Sequence, residues 1–250
     1  MLLNVHSYYS LRYGTLGIEP LTDVLIKAGY DAVVLTDINN TTGSLELMKH
    51  CIGKGLKANA GVEFRNGDST LYIGIAKGSE GFRELNELLS ISNLTKTPLP
   101  ETAPAFNDVY VVYPFGNRQV QELRENEYIG IKQMHLNKLW HSSNDIGKYV
   151  IWQPVTFANK KDFKLHCQLR AIDNNILLSQ LQQNQAAGRD ELLITKQALL
   201  DAYKAFPQLI SNTENLIGNC NFQFDFTTIK NKNTFTGTRY DDKELKIYHL

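Results

Sequence analysis

Apolar positions along this chain fall into two spacings. Short runs have the length of buried strands: Leu2–His6, which is interrupted by Asn4, Ala32–Leu35, Val109–Tyr113 and Tyr149–Trp152. Between them, apolar residues recur at helical intervals, as in Leu21, Val24, Leu25 and Ala28. The pattern predicts a helix over 18–28 stopped at Gly29, and one over 44–54 stopped at Gly55. Residues 56–64 and 70–76 read as strands joined by the turn at Asn66-Gly67. Phe82, Leu85, Leu88 and Leu89 mark a further amphipathic helix. Three prolines make 95–107 a surface connection.

The second half alternates in the same way. A short helix over 118–125 and a strand over 128–131 are expected, and 135–148 reads either way. The strand over 149–152 ends at Gln153-Pro154, and a helix covers 160–173. The polar stretch 179–193 is expected to be exposed. Thr195 should cap a helix reaching Ala205, with one more helical turn over 212–218. Residues 241–250 restart a helical pattern and stop without a cap, as in a piece cut from a longer chain or a frayed terminal helix. Strand–helix alternation implies a largely parallel sheet, as a barrel or a doubly wound open sheet.

In such sheets chemistry collects at the carboxyl ends of the strands. The first three apolar runs deliver His6, Asp37 and Glu63 to that rim. There is no Gly-rich phosphate loop and no solenoid repeat.

Composition narrows the classes. The 26 basic and 26 acidic residues cancel, so the chain carries no electrostatic footprint for nucleic acid. Cys51, Cys167 and Cys220 are widely spaced, with no CxxC, which fits a reducing cytoplasm and not a disulfide framework or thiolate zinc site. No signal peptide or membrane span is expected. His50, His135 and His141 read as surface residues, His166 as a packing or capping residue, and Cys51 and Cys167 as small buried groups. The Tyr8-Tyr9, Arg12-Tyr13 run reads as a loop over a barrel mouth, not a base-stacking platform.

Four segments follow one another in order: Asn4-Val5-His6-Ser7-Tyr8-Tyr9-Ser10, Leu35-Thr36-Asp37-Ile38-Asn39-Asn40, Gly61-Val62-Glu63 and Ala76-Lys77-Gly78-Ser79-Glu80-Gly81-Phe82. Their order resembles the polymerase and histidinol phosphatase (PHP) domain, in the version at the N-terminus of the bacterial DNA polymerase III alpha subunit. Asp162 to Ile172, with His166, resembles the family's helix after its last metal loop. The Leu-Thr-Asp-Ile-Asn-Asn pattern looks most like a shorter polymerase of the Bacteroidetes kind, with the replicative and error-prone copies both left open.

The resemblance implies an α/β fold, a distorted (β/α)7-type barrel over residues 1–220. Residues 221–250 become an extension leading toward a polymerase core. It also implies a rim of metal ligands: His-x-His, Asp-His, Glu, a further His, a Cys or His, and Asp-x-His. Here these fall on Asn4-Val5-His6, Asp37-Ile38, Glu63, Leu71, the vicinity of Phe115, and Pro154-Val155-Thr156. Asn4, His6, Asp37 and Glu63 form a vestigial rim, in which His6, Asp37 and Glu63 can hold at most one ion, such as zinc or manganese. The expectation is a non-catalytic module without a cofactor. Its partner is the polymerase core of the same chain, with other replication subunits as further candidates and DNA reached only through the full-length protein. The alternative is a metal-dependent phosphoesterase: a 3′ exonuclease, a pyrophosphatase or a small-molecule phosphatase.

Overall fold

The computed structural model describes residues 1–139 and 146–228. Trp140, His141 and the helical pattern over 241–250 lie outside them. Eight strands and seven helices are described: β1 (Leu2–Val5), α1 (Ile18–Lys27), β2 (Ala32–Leu35), α2 (Thr42–Cys51), β3 (Lys57–Asn66), β4 (Ser69–Ala76), α3 (Ser79–Thr95), β5 (Val109–Pro114), β6 (Glu127–Ile131), α4 (Leu136–Leu139), β7 (Tyr149–Ile151), β8 (Pro154–Val155), α5 (Lys160–Asp173), α6 (Lys196–Tyr203) and α7 (Pro207–Gly218). Among them, no helix is long and apolar enough to cross a membrane.

The strands form one curled sheet in the order β7-β6-β5-β4-β3-β2-β1-β8. All neighbours are parallel except at β4, which runs antiparallel to both β3 and β5. The two edge strands, β7 and β8, are separated in sequence by only Trp152 and Gln153. One stretch of chain therefore pairs with β6 at its start and with β1 at its end, which draws the sheet toward a barrel. The Trp152 amide donates to the Ile131 carbonyl (3.0 Å) and the His6 amide to the Val155 carbonyl (2.9 Å). Trp152 lies so close over Gly130 that a Cβ there would come within 2.0 Å of the indole.

Burial explains the layers. Leu2, Val33, Ile73, Val112, Ile129 and Tyr149 share one cluster with Leu21 and Leu25 of α1 and Leu209 and Leu216 of α7. A second cluster packs Leu85 and Leu89 of α3 on Val62, Phe64, Tyr72 and Val111. Each such aliphatic side chain contributes roughly 1.5–3 kcal/mol on burial.

Four expectations are corrected. Residues 118–125 hold only a single 3-10 turn, Val120–Glu122. The last helix begins five residues early, at Pro207, whose fixed φ suits a first helical position. The polar stretch 179–193 is not uniformly exposed. Gln180, Gln182 and Gln183 face solvent, but Gln185 is half-buried and Ala187 and Glu191 are buried. The cause is backbone pairing that composition cannot reveal: the Thr156 amide donates to the Glu191 carbonyl (3.0 Å) and the Leu193 amide to the Phe157 carbonyl (2.9 Å). Cys167 is only half-buried, whereas Cys51 and Cys220 are buried. Thr195 caps α6 through the Ala198 amide as expected, and Asn159 caps α5 through the Lys161 and Asp162 amides.

Candidate functional site

Strand alternation decides which side chains meet at the rim. Asn4 and His6 are two apart, as are Glu63 and Arg65, so each pair shares a face. Glu63 is not at a strand end, because β3 runs on to Asn66. It is level with the rim because β2 stops pairing with β3 at Ala60, and the loop after β2 then bridges to Glu63 through Ile38.

Glu63 is the centre of a buried network. Its Oε2 accepts from Asn4 Nδ2 (2.7 Å) and contacts His6 Nε2 (3.0 Å). Its Oε1 accepts from Arg65 Nε (2.5 Å) and Thr70 Oγ1 (2.8 Å). Burial pushes the Glu63 pKa up, but the Arg65 and His6 charges and the hydrogen bonds outweigh it and hold the carboxyl well below its usual range. The Asn4 amide is held by Thr36, whose hydroxyl donates to Asn4 Oδ1 (2.9 Å). His6 Nδ1 meets Thr156 Oγ1 (2.9 Å), and that hydroxyl is 2.5 Å from Glu191 Oε2. Burial raises the Glu191 pKa.

Asp37 belongs to a different arrangement. Its carboxylate accepts from the Ser7 amide (2.7 Å), the Ser7 hydroxyl (2.7 Å) and the Ser10 hydroxyl (2.6 Å). Ser10 Oγ in turn accepts from the Ile38 amide (3.1 Å). Asp37 thus stitches the loop after β1 to the loop after β2. Burial raises its pKa, and the Ser10 and Ser7 hydrogen bonds work against that rise.

The structure therefore brings Asn4, His6 and Glu63 together and leaves Asp37 engaged elsewhere. Among the described residues no three His, Cys, Asp or Glu side chains come together to hold a metal. The donors that do meet suit a divalent cation poorly, since a guanidinium already lies against Glu63.

Four residues of this network are not singled out by the sequence pattern: Arg65, Thr70, Thr156 and Glu191. The alternation Glu63-Phe64-Arg65 carried the signal for Arg65. Thr70 was hidden by a bulge. Phe64 pairs with Tyr72 and Arg65 with Thr70, which leaves Leu71 without an opposite residue. The slip turns Leu71 into the α3 cluster and Thr70 toward Glu63. Thr156 occupies the end of the segment matched to Asp-x-His. Glu191 lies in the stretch read as exposed.

A cavity of about 200 Å³ opens beside this network, with Glu63, Arg65, Lys132, His135 and Glu191 in its wall. His135 is not a plain surface residue: it stacks on Phe115 with ring centroids 4.9 Å apart, and its Nδ1 is buried without a partner among the described residues. His166 packs as expected. Its Nε2 accepts from the Ala187 amide (2.8 Å), so Nδ1 carries the proton donated to the Tyr13 carbonyl (2.7 Å). Tyr13 is buried under Arg65, whose guanidinium carbon is 4.4 Å from the ring centroid.

A family model described as the PHP domain matches residues 3–130. The DNA polymerase III subunit alpha of Staphylococcus epidermidis is 26% identical over 190 residues, covering 73% of this chain and 18% of that protein. The subunit of the same name from Ureaplasma parvum is 29% identical over 176 residues, covering 70% and 16%. A solved structure from Bifidobacterium adolescentis, of a candidate metal-dependent phosphoesterase, covers 81% of this chain and 94% of its own at 11% identity and a TM-score of 0.35. The chain spans less than a fifth of the length of these polymerase relatives.

Proposed function

The chain belongs to the PHP domain family, and from that premise we propose that it is a non-catalytic structural module of a DNA polymerase III alpha-type chain. The observation that carries this reading is the saturation of the rim carboxylates by the protein's own donors. Glu63 meets four side chains and Asp37 accepts three hydrogen bonds, so both act as internal fasteners. A hydrolytic metal centre needs the opposite: carboxylates free to bind ions and an open coordination position for water. The relatives support a place within a polymerase chain, and the module's work would be to pack against the polymerase core. They come from Staphylococcus and Ureaplasma and lend no support to the narrower Bacteroidetes likeness.

The competing reading, a metal-dependent phosphoesterase, draws on the cavity beside Glu63. One experiment separates the two. The protein is purified with zinc, manganese and iron supplied, analysed for bound metal, and assayed on a phosphodiester and on DNA 3′ ends. The structural module should carry well under one ion per chain and show no turnover above the buffer rate. Two or more ions per chain, with hydrolysis lost on Glu63→Ala, would establish the enzyme instead.

A further inference from the structure

We infer that the Arg65 guanidinium is the resident cation of the rim, holding Glu63 in place as a bound divalent ion otherwise would and excluding such an ion. The inference rests on the structural-module reading. Three observations carry it. Glu63 is buried at 1% exposure, and Arg65 is buried beside it at 8%. A carboxylate so far from water needs a charge partner. Arg65 supplies it through Nε on Oε1 at 2.5 Å.

Among the described residues, the two other permanently charged cations near the rim are engaged elsewhere. Arg170 pairs with Asp68 and Asp173, and Lys132 with Asp190. Arg65 is also built in on its other sides. Its Nη2 donates to the Tyr13 hydroxyl (3.2 Å), and its planar head lies over the Tyr13 ring. A lysine carries its three donors on a single nitrogen and lacks the planar fork that reaches both groups at once.

The bulge at Leu71 belongs to the same arrangement. It brings Thr70 onto the Oε1 that Arg65 also occupies, while Asn4 and His6 take Oε2. A divalent ion arriving here would have to displace these donors and sit against a fixed positive charge. This predicts a rim whose stability is indifferent to metal until Arg65 is removed.

The test is thermal unfolding of the whole protein and four variants, with and without about 1 mM manganese, enough to load a weak site. Arg65→Met keeps the bulk and loses the charge, and should lower the melting temperature by on the order of 10 °C. Arg65→Lys should recover part of that loss. Arg65→Met combined with Glu63→Gln should recover most of it. With the guanidinium gone, the amide NH2 introduced by Glu63→Gln can donate to a turned Thr70 hydroxyl, while the amide oxygen still accepts from Asn4 and His6. Manganese should raise the melting temperature of Arg65→Ala and leave the wild type unmoved.

Arg65→Met as stable as wild type would overturn the inference. So would a double variant no better than Arg65→Met, or manganese acting equally on wild type and Arg65→Ala. If Arg65→Met does not fold, folding of the double variant supports the charge role and its failure to fold refutes it. Failure of the structural-module reading appears separately, as hydrolysis by the metal-loaded wild type.

Discussion

Asp37→Ala is expected to destabilise the protein by about 3–5 kcal/mol, and the reason is three stranded donors. The Ser7 amide and the Ser7 and Ser10 hydroxyls all end on this one buried carboxylate. The hydroxyls can turn to other acceptors, but the Ser7 amide is fixed by the backbone. A buried donor left unpaired costs roughly 1–3 kcal/mol, more where the lost partner is charged. The damage also spreads, because Ser10 Oγ holds the Ile38 amide and Ser7 Oγ accepts from the Tyr9 amide (3.2 Å).

The loop 7–14 is closely fitted. A Cβ on Gly14 would come within 1.8 Å of the Ser7 carbonyl oxygen, so the loop has little room to rearrange around a hole. Asp37→Asn should cost less, since one amide oxygen can keep the Ser7 amide and Ser10 hydroxyl while Ser7 Oγ accepts from the new NH2. Urea unfolding of the two variants measures both losses. A loss under about 1 kcal/mol for Asp37→Ala would mean that the loop does not depend on this carboxylate.

The elements that sequence pattern revealed were those whose burial is periodic. β2 and β5 are nearly unbroken apolar runs because both faces are covered, β1 is interrupted only by Asn4, and α1 shows its inward stripe at Leu21 and Leu25. The rim was half legible. His6, Asp37 and Glu63 follow apolar runs, so their placement at one rim could be read, although β3 runs three residues past Glu63. Their partners could not be read with the same ease, for three physical reasons.

Arg65 looks like a turn-flanking surface charge unless the strand is known to overshoot its neighbour. Thr70 changes face only because Leu71 is squeezed out of register. Glu191 is buried by backbone pairing with the segment leaving β8, within a stretch where Gln180, Gln182 and Gln183 are exposed. Each is a tertiary effect acting on a locally ordinary residue. Asp37 shows the converse: its position was legible, but three short serine contacts decide that it fastens a loop.

His166→Leu is expected to cost about 3 kcal/mol at pH 7, and the cost should shrink in acid. The imidazole is fully buried between two loops and serves both as donor and as acceptor. It donates from Nδ1 to the Tyr13 carbonyl and accepts at Nε2 from the Ala187 amide. Leucine fills the space and leaves both backbone groups unpaired. The pH dependence follows from burial, which lowers the His166 pKa from 6.5 to about 4. The Tyr13 carbonyl opposes that shift, and the charges of Arg170, His6 and Arg65 reinforce it.

Between those two values the unfolded chain takes up a proton that the folded protein refuses. The stability contributed by the neutral imidazole is thus complete above about pH 6.5 and is lost as pH falls toward 4, by up to about 3 kcal/mol. Leucine has no such loss. The gap between wild type and His166→Leu should therefore narrow by about 2 kcal/mol from pH 7 to pH 5. Using the difference between the two proteins cancels the other titrating groups. Urea midpoints with unchanged slopes at both pH values provide the measurement. An equal gap at pH 7 and pH 5 would show that His166 is not held neutral in the fold.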